Sequence, residues 1–168
     1  ISKDVIEKAD LGVLVVGSTY YLSIPLKDTN GEIVNIRFRS VPPAKKQYRV
    51  CAGRPLPLYG SQSLGNKKVD VIVVEGELDV LALNTYGFGE NIVSGTSGAT
   101  ANWPDEWLDQ LEPFRQFLLW YDNDKAGDAG ADKLSKKLGE YRCFRIKSSW
   151  NDVGEALSSN LPGDDIEK

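Results

Sequence analysis

The rhythm of apolar and polar positions changes near residue 69. Before it, short apolar stretches alternate with turn residues. Residues 2–9 predict a short helix with Ser2 as its N-cap and acids in the first turn. Residues 11–16 and 20–26 predict strands, 28–31 supply Asp, Asn and Gly for a turn, and 32–39 alternate as a third strand. Val41-Pro42-Pro43 interrupts this hairpin-rich part and opens an irregular passage that runs through RPLPLYG at 54–60.

From 69 onward strand and helix patterns take turns. The β-branched run at 69–74 suits a strand covered on both faces. Residues 77–86 carry Leu78, Leu81 and Ala82 at helical spacing, with Glu77 as a solvent-facing first-turn residue and Gly87 as the stop. A short strand over 91–94 leads into the glycine-rich turn 94–98. Residues 104–111 predict a helix with proline in its first turn and Trp107, Leu108 and Leu111 facing the core. FLLWY at 117–121 predicts a third strand, 126–138 a helix stopped by Gly139, 141–147 a fourth strand, and 153–159 a last helix capped by Asn151-Asp152. The tail from Pro162 is polar. Four such units in series predict a parallel sheet with helices on both faces, preceded by a smaller strand-rich lobe.

In parallel sheets of this kind, functional groups gather at the carboxyl ends of the strands. Here those ends carry acids: Glu75 after the first strand, Asp122 and Asp124 after the third, Asp152 after the fourth. A carboxylate at the mouth of a buried strand is costly unless it is paired, hydrogen-bonded or bound to a metal. An isolated Asp-x-Asp occurs in many surface turns, but acids at three strand ends make a coincidence harder to sustain. Magnesium accepts a few carboxylates, keeps waters and leaves positions for phosphate oxygens, which suits a small exposed cluster.

Charge along the chain is uneven. From 33 to 69 there are eight basic residues (Arg37, Arg39, Lys45, Lys46, Arg49, Arg54, Lys67, Lys68) and no acid; from 70 to 132 there are thirteen Asp or Glu against Arg115 and Lys125. An acidic focus beside a basic segment suits a metal-dependent enzyme acting on a polyanion, with Tyr48 and Tyr59 available to stack on bases. Charge counts alone are equally consistent with two solvated faces, and the basic passage with a connector whose tyrosines are packed. The chain has no His and two Cys, Cys51 and Cys143, far apart. That excludes Ser-His and Cys-His triads, HExxH chemistry and a cysteine zinc knuckle, and leaves carboxylates, lysines, hydroxyls or metal ions. GSQSLGNK at 60–67 departs from a phosphate-binding P-loop: Asn precedes the Lys, no Ser or Thr follows, and a strand comes after it. The chain has no membrane-length apolar run and no signal-peptide pattern, so an intracellular, cytoplasmic setting is expected. Ile at position 1 suggests a piece of a longer protein.

The segments EGELDVLAL at 75–83, GTS at 95–97, DNDKAG at 122–127 and NDVGEAL at 151–157 resemble the successive motifs of the Toprim domain, shared by bacterial-type primases, topoisomerases and some nucleases. Their form is most similar to bacterial and phage primases. The hairpin of IPLKDTNGEIV and the basic segment ending in LYG resemble, more loosely, the lobe that precedes Toprim in primase catalytic cores. The resemblance implies an α/β, Rossmann-like Toprim fold, with a basic lobe over 1–66, the Toprim domain over 67–160 and a tail over 161–168. It implies that Glu75, Asp122 and Asp124 are catalytic, with Glu75 in proton transfer or metal holding. Glu75, Asp122, Asp124 and Asp152 would bind magnesium or manganese, with Asp79 as a supporting acid. Arg39, Lys45, Lys46, Arg49 and Arg54 lie where the family's basic ridge meets template and incoming nucleotide. Gly154 departs from the family, which often has Asp or Asn there.

The activity implied is that of a DNA primase, a template-directed nucleotidyltransferase joining ribonucleotides on single-stranded DNA. Its partners would be the template, ribonucleoside triphosphates and a replicative helicase, fused or separate, in the nucleoid or a phage-infected cell and not at a membrane. A Toprim nuclease and a non-catalytic nucleic-acid-binding module are the alternatives. A topoisomerase would need room for a separate domain bearing its tyrosine, and a receiver domain has a different arrangement of acids.

Overall fold

The computed structural model describes residues 1–65, 67, 69–96, 102–150 and 152–159. The N-terminal part begins with α1 (Lys3–Lys8), whose N-cap Ser2 accepts from the Val5 amide. Four antiparallel strands follow as a meander: β1 (Gly12–Val16), β2 (Thr19–Lys27), β3 (Ile33–Ser40) and β4 (Tyr48–Val50). The β2–β3 turn forms as its residues predict. The Asp28 carboxylate accepts from the Asn30 and Glu32 amides at 2.9 and 3.0 Å, and Gly31 takes φ +83°. Buried Asn35 then fastens the basic passage to β3: its amide group donates to the Cys51 and Pro55 carbonyls, and its oxygen accepts from the Cys51 amide.

The passage expected to be irregular contains β4, which pairs Arg39 with Tyr48 and Arg37 with Val50. Strand alternation puts Arg37, Arg39 and Tyr48 on one face of this sheet together with Leu22 and Ile24 of β2. The opposite face carries Phe38, Arg49 and Tyr21.

The second half is β5 (Asp70–Val74), α2 (Glu77–Thr85), β6 (Ile92–Ser94), α3 (Asp105–Leu111), β7 (Gln116–Trp120), α4 (Lys125–Leu138), β8 (Cys143–Arg145) and α5 (Val153–Ser158). The four strands are parallel in the order β6-β5-β7-β8. Each face of this sheet has its own core. Val71, Val73, Phe117 and Leu119 pack with α3 and α4 through Trp107, Leu111, Ala131 and Leu134. Val74, Ile92 and Trp120 pack with α2 and α5 through Val80, Leu81, Ala156 and Leu157. That second core also takes in Val5, Ile24, Leu26 and Tyr59, so the N-terminal sheet sits directly on the α2 side. Burial of each such aliphatic or aromatic side chain is worth roughly 1.5–3 kcal/mol, which makes this junction continuous with the hydrophobic core.

Among the described residues of this segment, 60–65 and 67, no helix follows a phosphate-binding turn. Ser61–Ser63 is a single 3-10 turn, and Tyr59 bridges Ser94 beside β6. The last parallel strand is shorter than its sequence predicts: 140–142 form a 3-10 turn, and beyond Arg145 the Ile146 amide donates to the Leu119 carbonyl. Asn151, most of the glycine-rich turn beyond Thr96, and the tail lie outside the described residues. Among the described residues no helix is long and apolar enough to cross a membrane.

Candidate active site and nucleic-acid cleft

The chain leaves β5 outward to β6 and then returns past it to β7, so the connections diverge at the carboxyl ends of β5 and β7. Such a divergence opens a crevice in an open α/β sheet. Glu75 follows β5 and Asp122 follows β7 at this point. A cleft of about 720 Å³ lies there, with Glu75, Asp79, Asp122 and Asp152 on one wall and Arg37, Arg39, Lys46 and Tyr48 on the other. From the acids it continues along Leu78, Ala82 and Tyr86 of α2 toward Leu157.

The acids are held by local structure. Asp79, in the first turn of α2, accepts from the Gly76 amide at 3.1 Å. Asp124 is the N-cap of α4, accepting from the Gly127 amide at 2.7 Å, and Asp152 is the N-cap of α5, accepting from the Glu155 amide at 2.6 Å. Gly127 allows the first turn of α4 to approach the Asp122 backbone, since a Cβ there would lie 3.0 Å from both the Asp122 amide nitrogen and carbonyl carbon.

Two residues that the sequence did not single out brace this rim. Arg145 donates to the Leu119, Tyr121 and Asp122 carbonyls at 3.2, 2.9 and 2.8 Å, from the last paired residue of the β7–β8 ladder outward. Asn123, between the two acids of the DND segment, donates to the Ser148 and Trp150 carbonyls at 2.7 and 2.6 Å. It thereby ties the exit of β7 to the loop that brings in Asp152.

The acids raise one another's affinity for protons. Burial, then the Asp122 charge, pushes the Glu75 carboxyl above its ordinary range. Asp79 is pushed up to about 7, again by burial first and then by Asp122, with Asp152 and Glu75 adding to the effect. Asp122 is raised by burial, Asp152 and Asp124, against the pull of Lys46 and Arg145. One buried oxygen of Glu75, Oε2, has no hydrogen-bond partner. Hard carboxylate oxygens, mutual repulsion and an unpartnered buried oxygen fit a hard divalent cation. Among the described residues no three His, Cys, Asp or Glu side chains converge as direct ligands of one ion. The carboxylates share a rim without forming a closed cage.

The five basic candidates separate. Arg39 and Lys46 line the cleft. Arg49 lies on the other face of its sheet, with its guanidinium 5.4 Å from the centre of the Tyr21 ring. Lys45 and Arg54 are exposed and line no part of the cleft. Glu77 corrects the expectation of a solvent-facing residue: it is 4% exposed and ion-paired with Arg37 of β3. It shares a helix face with Val80 and Leu81, three and four residues on, and that spacing is the sequence signal for its burial.

A parallel α/β sheet with acids at its switch point is the arrangement of a Toprim-like protein. The family model described as Toprim-like matches residues 72–157, and the chain belongs to that family. The Twinkle homolog protein, chloroplastic/mitochondrial, of Arabidopsis thaliana is 28% identical over 89% of this chain and 23% of its own length. The Primase homolog protein of the same plant is 29% identical over 89% of this chain and 48% of its own. The chain thus spans less than half the length of these relatives. Among solved structures, the primase fragment of the bacteriophage T7 primase-helicase protein superposes with a TM-score of 0.76 at 22% identity, over 95% of this chain and 66% of that one. The E. coli primase catalytic core gives 0.72 at 17% identity, over 98% and 67%. The fold is that of primase catalytic cores, including the smaller lobe before the Toprim sheet.

Proposed function

We propose that the chain is the catalytic core of a DNA primase, a metal-dependent nucleotidyltransferase that makes RNA primers on single-stranded DNA. The observation that carries this reading is the facing of Glu75, Asp79, Asp122 and Asp152 by Arg39 and Lys46 across one cleft, whose lining does not include Asp124. Phosphates of an incoming ribonucleotide would lie between the two walls, and the template backbone would follow the basic one. Glu75, Asp122, Asp124 and Asp152 would hold magnesium or manganese, with Asp79 in support. The ion, when bound, would neutralise charge building on the transferred phosphate. Glu75, raised by burial and holding an unpartnered oxygen, is suited to take the proton of the attacking 3′ hydroxyl.

The proposed division is the basic lobe at 1–66, the Toprim domain at 67–160 and a tail at 161–168. A replicative helicase, fused or separate, is the expected partner. With single-stranded DNA, ribonucleotides and magnesium or manganese, the protein should make template-dependent dinucleotides, and Asp124→Ala should abolish them. DNA cleavage without incorporation would replace this reading with a Toprim nuclease. Binding with no chemistry under either metal would replace it with a non-catalytic module.

A further inference from the structure

One side chain joins the two walls of the cleft. From β3, the Arg37 guanidinium donates through one nitrogen to the Glu77 carboxylate at the start of α2 and through another to the Thr96 carbonyl after β6. Its centre lies 5.2 Å from the centre of the Tyr48 ring on β4. The ion pair is withdrawn from water, with side-chain exposures of 13% for Arg37 and 5% for Glu77.

Glu75 and Glu77 flank one glycine and are chemically alike, yet their surroundings differ. Glu75 faces other acids and leaves an oxygen unpartnered. The charge of Glu77 is already met by a cation. We propose that Arg37 and Glu77 form a positioning clamp: Arg37 sets the separation of the basic wall from the acidic rim, and Glu77 anchors Arg37 and is not an ion ligand. The clamp rests on the primase reading only for what the cleft holds, not for the joint itself.

The geometry asks for arginine. Two acceptors on different elements and an aromatic face are served together by a planar guanidinium, whereas an ammonium serves them as a point charge. Arg37 is therefore a structural cation, and the cleft-lining cations left to meet a polyanion are Arg39 and Lys46.

The test uses probes that need no turnover. Cys143→Ser with Tyr141→Cys permits nitroxide labels at Cys51 in the N-terminal lobe and at position 141, which is 87% exposed in the parallel half. Pulsed electron-electron spectroscopy should give one narrow distance distribution, and Arg37→Lys or Glu77→Gln should broaden or shift it. Manganese affinity, read from the spectrum of the free ion, should stay within about twofold for Glu77→Gln and fall at least about tenfold for Glu75→Gln. In dinucleotide synthesis Arg37→Lys should raise KM for the nucleotide about tenfold with a smaller effect on kcat. An unchanged distance distribution in Arg37→Lys would overturn the clamp, and a tenfold loss of manganese affinity in Glu77→Gln would make Glu77 a ligand. A protein without synthesis whose distance distribution still responds would lose the primase reading and keep the clamp.

Discussion

Gly127→Ala is a one-methyl change at the centre of the site. The residue sits in the first turn of α4, where its amide donates to Asp124, and the space where a side chain would stand is taken by the backbone of Asp122. An added Cβ would lie 3.0 Å from the Asp122 carbonyl carbon and amide nitrogen, and closer still to its oxygen. These are backbone atoms of a strand exit that Arg145 also holds, so they cannot swing aside as the end of a long side chain would. Forcing extra volume into a packed site costs about 1–3 kcal/mol, and the upper end is expected here. Against a typical total stability of about 5–15 kcal/mol, 3 kcal/mol lowers the folding constant by roughly two orders of magnitude. Relief by displacing Asp122 would also weaken manganese binding. Gly154→Ala is the control: its Cβ would meet only the Asp152 side-chain oxygen, at 3.3 Å, while alanine gains about 0.5–1 kcal/mol in a helix. Urea unfolding should show Gly127→Ala destabilised and Gly154→Ala neutral or stabilised. If Gly127→Ala matched the parent within about 0.5 kcal/mol and bound manganese equally well, the close approach would be refuted.

The folded protein keeps a proton on Asp79 up to about pH 7, whereas a free Asp releases it near 3.8, so stability should fall as pH rises through that interval. The penalty, at most about 4 kcal/mol, is complete above it. Asp79→Asn can still accept from Gly76; in chelator it should flatten that slope and exceed the parent at about pH 8 in urea unfolding, and parallel slopes would exclude Asp79 as the source. Asn123→Ala removes two hydrogen bonds worth about 1 kcal/mol each and should speed hydrogen exchange at the bonded amides that flank the loop, those of Ile146 and Glu155; unchanged exchange would show that the loop is held otherwise. For single-stranded DNA, Arg39→Ala or Lys46→Ala should each reduce the slope of log affinity against log salt by about 0.7, while Arg49→Ala leaves it unchanged. Equal effects from all three in anisotropy titrations would mean that the template does not follow the cleft.

The parallel half was legible because its signals are local and agree with one another. β-Branched and aromatic runs mark β5 and β7, and Gly87 and Gly139 stand where α2 and α4 end. Asp124 and Asp152 double as caps, so the acids that suggest chemistry also mark helix starts. The strand β4 was hidden because Tyr48-Arg49-Val50 is short, charged and close to prolines; it is a strand only because β3 offers it an edge. The end of β8 was overrun for a related reason. Beyond Arg145 the Ile146 amide still reaches the Leu119 carbonyl, but the Arg145 side chain takes the next one along, that of Tyr121, which a longer ladder would need.

The site was less legible because its decisive partners are distant in sequence. Glu75 and Glu77 are separated by one residue, yet one faces acids and the other an arginine contributed by β3, forty positions earlier than Glu77. No local pattern states that pairing, although helix periodicity with Val80 and Leu81 already places Glu77 on the buried face. A buried carboxylate on such a face needs a cation, and the acid-free stretch from 33 to 69 supplies the candidates. Strand alternation then narrows them: Arg37 and Arg39 share the face with buried Ile24, whereas Arg49 sits on the other. What remains beyond sequence is the choice between Arg37 and Arg39, which depends on where β3 meets the start of α2. The same register that gives Arg37 to Glu77 leaves Arg39 on the cleft wall, so a shift along β3 would exchange the ion-paired arginine for the one that only lines the cleft.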